Sequence, residues 1–352
     1  MSTKNISKAD TSPSPVDQLS LFEIIEKPTA KSRLSNTIEL YDALPKYSWE
    51  QKRELQYHQV SNAPLVRHCT VRGVSYKVVV KPAMVYKNGV SVFIYPGERE
   101  EIVEEALRKL AVSGQTVMHE NNAGVTFTLY QLRQELQAMG HAFSLGEIKE
   151  AIEVCRAAEI TCYGDNDQTL ISSSFFQTVA LTTRGDWMKS GSDAKCYVSF
   201  NPLVTKSILE LTFRQYDYTL GMSIKSPLAR FIFKRMSHYW TQASLSAPYT
   251  PSLVSFLKQT PRGFSDNIST NVRAMNNALD VLIKHSVVSH YEATPEKEGR
   301  RIIDVRYVIF PHENFIAMVM AANKKKQIVE LEMLKTSVKR PRNRVLAAPG
   351  DA

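Results

Sequence analysis

The chain has 352 residues, a length that suits two or three compact units, and at 43 % hydrophobic it holds enough apolar material for real cores. Its formal net charge is +9 and its pI is about 9.2, so an acidic polymer is the expected partner. No apolar run approaches twenty residues and no signal peptide is recognisable, so neither membrane spanning nor secretion is expected. Cys69, Cys155, Cys162 and Cys196 show no C-x-x-C spacing, so they point to free thiols in a cytoplasm rather than to zinc or redox chemistry.

Residues 1–17 are almost devoid of apolar side chains. They cannot bury enough surface to offset the entropy of ordering, and read as a disordered arm. Gln18-Leu19-Ser20-Leu21-Phe22 then places an isolated apolar cluster behind a Gln. This pentapeptide resembles the QL[SD]LF peptide by which bacterial replication proteins bind the ring-shaped sliding clamp of DNA polymerase. In that resemblance the Gln is hydrogen-bonded and the Leu-Phe pair fills an apolar pocket, as a small set of buried anchors does at interfaces generally. The alternative is that Leu19, Leu21, Phe22, Ile24 and Ile25 start an edge strand or short helix packed on the body. Residues 26–47 read as a loosely structured connector, closing an N-terminal arm over 1–47.

A first folded unit is expected over 48–200. Tyr76 to Val80 is rich in β-branched residues. Met84 to Tyr86 and Val90 to Tyr95 flank Lys87-Asn88-Gly89, a strong hairpin signal because Asn and Gly tolerate φ > 0. Ile102, Val103, Ala106, Leu107, Leu110 and Ala111 mark one face of a helix. Thr128 to Gln131 and Ser144 to Glu147 have capping-box spacing and open two more helices, joined by a turn at Gly140. Ile160 to Tyr163 and Thr169 to Phe176 follow as strands around Gly164 to Asp167. Helix, helix, turn, helix and β-hairpin in that order is a winged helix-turn-helix.

The order recurs over 201–322. Ser226-Pro227 is an N-cap followed by Pro at the first helical position. Pro251 to Gln259 is a short helix broken by Pro261-Arg262-Gly263. Ile268, Val272, Met275, Leu279 and Leu282 give one buried helical face over 268–285. Val287 to Ala293 and Ile302 to Ile309 flank a second wing at Pro295 to Arg301. The fold class is therefore α+β: two winged helix-turn-helix domains in tandem between disordered N- and C-terminal arms. From Lys324 to Arg344 eight Lys and Arg residues enclose only Glu330 and Glu332. The segment 323–352 reads as a basic tail, either a DNA-contacting or a solubilising arm.

In a helix-turn-helix the second helix enters the major groove. On the 268–285 helix the expected reading residues are Thr270, Asn271, Arg273 and Asn277, because Arg pairs bidentately with guanine and Asn with adenine. Lys297, Arg300 and Arg301 on the wing are expected on phosphates, and Arg230 is expected to contact DNA. The matching helix of the first domain carries Glu147, Glu150 and Glu153 against Lys149 and Arg156. It is expected to read bases less well and to touch backbone through Lys149 and Arg156, or to face a protein. The alternative for the 268–285 helix is an ordinary solvated face. No G-x-x-x-x-G-K-[ST] loop and no His-x-His pair is present, so a P-loop ATPase and a rolling-circle nuclease are disfavoured, and no cofactor, metal or enzymatic activity is called for.

Five segments together resemble the plasmid replication initiators, most closely those of TrfA type. They are Gln18 to Glu23; Val125 to Tyr130 with Leu132 and Leu136; Thr169 to Ser172; Ser226-Pro227 with Ala229-Arg230 and Pro248-Tyr249; and Val287-Val288 after an amphipathic helix. The resemblance spans roughly residues 18–292. It implies a two-winged-helix protein of the bacterial cytoplasm that binds repeated duplex sites (iterons) at a plasmid origin. It further implies opening of adjacent AT-rich DNA with single-strand contact, recruitment of the host initiator, helicase and clamp, and a homodimer that restrains copy number. The runner-up is a winged-helix transcriptional regulator; a nicking enzyme is a third class.

Overall fold

The computed structural model describes residues 33–49, 54–56, 64–87, 89–119, 121–164, 168–181 and 195–338, with side chains described throughout except in 54–56 and 332–338. Gln18, Leu19, Ser20, Leu21 and Phe22 lie outside the described residues.

The first described element corrects the expected connector. Leu34–Ile38 is a strand, β1, followed by a short helix α1, Glu39–Ala43. Tyr41, Leu44 and Tyr47 are buried behind them. The physical reason is that this segment supplies both a partner strand and aromatic core to the body, so it is ordered by packing that its local composition does not announce.

After β2 (Glu54–Gln56) come β3 (Leu65–Val71), β4 (Val74–Lys81), β5 (Ala83–Lys87) and β6 (Val90–Ile94). Lys87 pairs with Val90 in the expected hairpin, and Gly89 takes φ +82°, the region that Gly enters freely. Helix α2 (Glu98–Leu110) leads through a π-helical turn at Ala111–Gln115 into β7 (Thr116–His119) and β8 (Asn122–Phe127).

Helices α3 (Leu129–Ala138) and α4 (Leu145–Ala157) follow with the expected caps. Thr128 Oγ1 accepts from the Gln131 amide at 3.0 Å. Ser144 Oγ accepts from the Glu147 amide at 3.2 Å while Glu147 accepts from the Ser144 amide at 2.8 Å. Strands β9 (Glu159–Tyr163) and β10 (Thr169–Ser174) form the first wing. That wing is not free-standing: β9 also pairs with β4, giving the sheet order β10-β9-β4-β3. Ile102, Ala106, Leu107, Leu132, Leu136, Ile148 and Ile152 form the core of the first unit.

Strands β11 (Phe176–Ala180) and β12 (Cys196–Phe200) join β8 and β7 in a second four-stranded sheet. Helix α5 (Pro202–Glu210), strand β13 (Phe213–Asp217) and helix α6 (Tyr218–Ser223) lead to the second unit. β13 pairs antiparallel with β1, Leu34 opposite Asp217, so the base of the N-terminal arm is a strand of the second half of the chain.

The second winged helix-turn-helix consists of α7 (Pro227–Tyr239), α8 (Leu253–Lys258), α9 (Ile268–Lys284) and the hairpin β14 (Val288–Glu298) with β15 (Arg301–Pro311). This wing is longer than expected. Its strands run to Glu298 and resume at Arg301, leaving Gly299 (φ +60°) and Arg300 as the turn. Pro295 interrupts β-propensity but sits on a two-stranded ribbon, where the missing amide costs little. Leu228, Phe231, Leu253, Phe256, Met275, Leu279, Leu282, Tyr307 and Ile309 form the core.

The expected tail is corrected in its first half. Helix α10 runs Glu313–Val338, with Phe315, Val319, Ala322 and Val329 buried; Phe315 packs on Phe233 and Trp240, and Asn323 and the Val319 carbonyl accept from Arg214 at 2.8 and 3.4 Å. Residues 339–352 lie outside the described residues. Among the described residues no helix is long and apolar enough to cross a membrane.

Candidate nucleic-acid interface

Helix α9, the expected reading helix, is set by its neighbours. Asn267 caps α9, its Oδ1 accepting from the Ser269 amide at 2.9 Å. Tyr307 donates to Asn276 Oδ1 at 2.7 Å and Tyr291 to Asp280 Oδ1 at 3.2 Å, which roots the wing on α9. Asp304 on β15 accepts from Ser252 Oγ at 2.5 Å and the Val254 amide at 3.0 Å, which roots the wing on α8 as well. The wing is thus bonded to both α8 and α9.

Arg273 and Asn277 are exposed on one face of α9, and Thr270 is half-buried beside them. Lys297, Arg300 and Arg301 are exposed at the tip of the wing. Arg306, lower on β15, is held by Glu296 at 3.0 Å.

Two expected contact residues belong elsewhere. Asn271 is fully buried. Its Oδ1 accepts from the Ser265 amide and from Arg262, each at 3.0 Å, and its Nδ2 donates to the Ser265 carbonyl at 2.6 Å. It fastens the turn between α8 and α9 and presents nothing to a base. The signal for this was in the sequence: Asn271 lies four residues before Met275 and therefore on the buried stripe. Arg230 is 1 % exposed. It donates to the Ile224 carbonyl at 3.0 Å and pairs with Glu98 at 3.1 Å and Glu101 at 3.6 Å. It cannot reach phosphate because α7 is buried on almost every side between the two units.

In the first unit Lys149 and Arg156 are exposed on α4, as expected. The carboxylates of that helix are largely engaged, however. Glu147 caps Ser144, and Glu150 pairs with Arg99 at 2.6 Å and Lys87 at 3.2 Å. Lys149, Glu153 and Arg156 remain as a stripe with four- and three-residue spacing, so its negative character is weaker than the sequence suggests.

A polar junction between the units was missed by sequence reasoning. Helix α2 carries Glu98, Glu101, Glu104, Glu105, Arg108 and Lys109, and all but Glu98 are buried. Asp42, from α1, receives a bidentate pair from Arg108, 2.7 Å to Oδ1 and 2.9 Å to Oδ2. Lys234, on α7, pairs with Glu105 and lies 3.6 Å from Asp42. Burial opposes the charge of Asp42, yet the Arg108 guanidinium and the Lys234 and Lys46 ammonium groups hold its carboxyl well below the usual carboxylate range. The legible signal was a matched spacing: Glu101 and Glu105 face Arg230 and Lys234, four residues apart on each helix.

Further bonds cross the same boundary. Lys225 donates to the carbonyls of Met139 and Gly140 at 3.2 and 3.0 Å, and His141 Nε2 lies 3.1 Å from the Met222 carbonyl. These two contacts seize the turn between α3 and α4. Gln259, at the end of α8, accepts from the Thr70 amide on the outer edge of β3 at 3.1 Å.

Cys69, Cys155, Cys162 and Cys196 are buried free thiols. Among the described residues no group of His, Cys, Asp and Glu side chains is arranged to hold a metal ion.

No family model matches the chain, and no curated protein sequence matches it. Among solved structures, a crystal structure of domains 2 and 3 of RctB is similar at 11 % identity, covering 78 % of this chain and 96 % of that one with a TM-score of 0.43. A crystal structure of the Pi initiator protein in complex with iteron DNA is similar at 15 % identity, covering 61 % and 91 %, with a TM-score of 0.41.

Proposed function

We propose that this chain is a plasmid-type replication initiator that binds repeated duplex sites with two winged helices and acts by assembly rather than by catalysis. The observation that carries the reading is the second winged helix. It is a capped helix with Arg273 and Asn277 exposed on one face, bonded to a wing that ends in Lys297, Arg300 and Arg301. Residue types that pair with guanine and adenine edges stand on the helix, and phosphate-binding cations stand on the wing. The first winged helix contributes Lys149 and Arg156 to backbone contact. The net charge of +9 supplies the sequence-independent attraction.

The five-segment resemblance raises this from a duplex-binding protein to an initiator. On that reading the protein opens AT-rich DNA beside its sites and recruits host initiator and helicase in the bacterial cytoplasm. The peptide Gln18 to Phe22 recruits the sliding clamp, and a homodimer limits copy number. The test is footprinting of the full chain on the DNA that flanks its gene. Protection of several direct repeats supports the reading; a single protected operator, or none, overturns it.

A further inference from the structure

We propose that the buried ion network between the two winged helices determines the spacing at which the protein reads DNA: it locks two reading heads into one bipartite reader. The inference rests on the duplex-binding reading above and names residues that touch no DNA. They are positioning residues for both heads.

The geometry is specific. Arg230 meets Glu98 and Glu101 at one level, and Lys234 meets Glu105 one helical turn further along both helices. Asp42 enters from the base of the N-terminal arm and ties Arg108 of the first unit to Lys234 of the second. Removal of charges from water is costly, and their mutual attraction repays it only in excellent geometry. A sliding or rotated arrangement of α2 against α7 would leave charges buried without partners, so intermediate arrangements are excluded in a way that an apolar interface does not exclude them. Each head is tied to this junction. Lys225 and Met222, just before α7, hold the Gly140 turn of the first head. Gln259, in the second head, holds the β3 edge of the first. The distance and rotation between α4 and α9 are therefore fixed by the junction and not by a linker.

Two measurements test this. In the first, hydroxyl-radical footprinting of the full chain on a duplex selected from a random pool maps the backbone positions protected by the first head relative to the bases read by α9. In the wild type that protection should fall at one fixed distance and on one helical face, whatever the sequence beneath it. In the charge-balanced variants Asp42→Asn with Lys234→Met, and Glu101→Gln with Arg230→Met, it should fade or spread over several positions while protection at the α9 site persists. A wild-type footprint with no fixed first-head segment, or variants with the wild-type footprint, would overturn the proposal while leaving duplex reading intact. Failure to select any duplex would overturn both. In the second, spin labels at Glu153→Cys and Lys284→Cys, both exposed in a chain whose native cysteines are all buried, report the separation of α4 and α9 without DNA. A single narrow distance in the wild type that broadens in either variant supports the proposal; an unchanged width in both folded variants contradicts it.

Discussion

Asp42 and Arg108 form a fork-on-fork pair, 2.7 and 2.9 Å, in the interior of the molecule. The pair joins the base of the N-terminal arm to the first helix of the first winged unit. Removal of one partner strands the other charge. Asp42→Ala should destabilise the protein by about 3–5 kcal/mol, whereas an exposed pair such as Lys206 with Glu210 should cost under about 1 kcal/mol when broken. Urea titration of the two variants checks the contrast. The acid side has a definite sign. The folded carboxyl of Asp42 titrates below its unfolded value, so its contribution is present above about pH 4 and is lost as pH falls below that.

His238 supplies a second and separate pH window. It is half-buried on α7, with Nδ1 2.8 Å from Thr37 Oγ1 of β1. Burial pushes its imidazole down to about 4, the nearby carboxylates of Asp42 and Glu39 resisting. The fold favours the neutral ring, so unfolding takes up a proton between about pH 6.5 and 4. Stability should be full above about pH 6.5 and fall through that window by at most about 3 kcal/mol. His238→Gln should flatten the slope there and leave the steeper loss below about pH 4. Denaturation at pH 7, 5.5 and 4.5 decides it, and an unchanged slope would show that His238 is not the group involved.

Asn271 and Arg273 are two residues apart and should behave in opposite ways. Asn271→Ala leaves the Ser265 amide and carbonyl without their partner, at a cost of about 1–3 kcal/mol in stability. It should weaken binding to all duplexes by a similar factor, since it loosens the whole head. A loss confined to one base position of the site would return Asn271 to the reading face.

The proposed clamp role of Gln18 to Phe22 predicts a selective loss. Leu21→Ala with Phe22→Ala should remove two anchors worth roughly 2 kcal/mol or more each and abolish clamp binding. Duplex binding and melting temperature should stay at wild-type values. Surface plasmon measurements on immobilised clamp and on duplex separate the outcomes; clamp binding that survives would leave the pentapeptide without that role.

Much of this architecture was legible in the sequence, and the reasons are local. Caps at Thr128, Ser144 and Ser226 act through bonds to their own neighbours, and the left-handed Gly89 through its own backbone, so short windows contain the information. The apolar stripe from Ile268 to Leu282 places α9 for the same reason. The junction was hidden because its charges sit where composition alone predicts solvent. Glu101 and Glu105 look like a solvated face until Arg230 and Lys234, some 130 positions away, are brought against them. Arg230 was mistaken for a DNA contact on the same ground, and Leu34 to Tyr47 for a connector because their partners lie on β13 and α2. Asn271 was a local error: its spacing to Met275 already put it inside.

The most direct measurement compares Arg273→Ala, Lys149→Ala and Arg156→Ala on a selected duplex and on a scrambled one, at a single salt concentration. Arg273→Ala should lose about 1–3 kcal/mol on the selected site, little on the scrambled one, and relax preference at one base position. The two first-unit variants should weaken both duplexes by similar factors, as phosphate contacts do. If Arg273→Ala keeps full specificity while Lys149→Ala or Arg156→Ala abolishes it, α9 is not the reading helix and the assignment of the two heads is reversed.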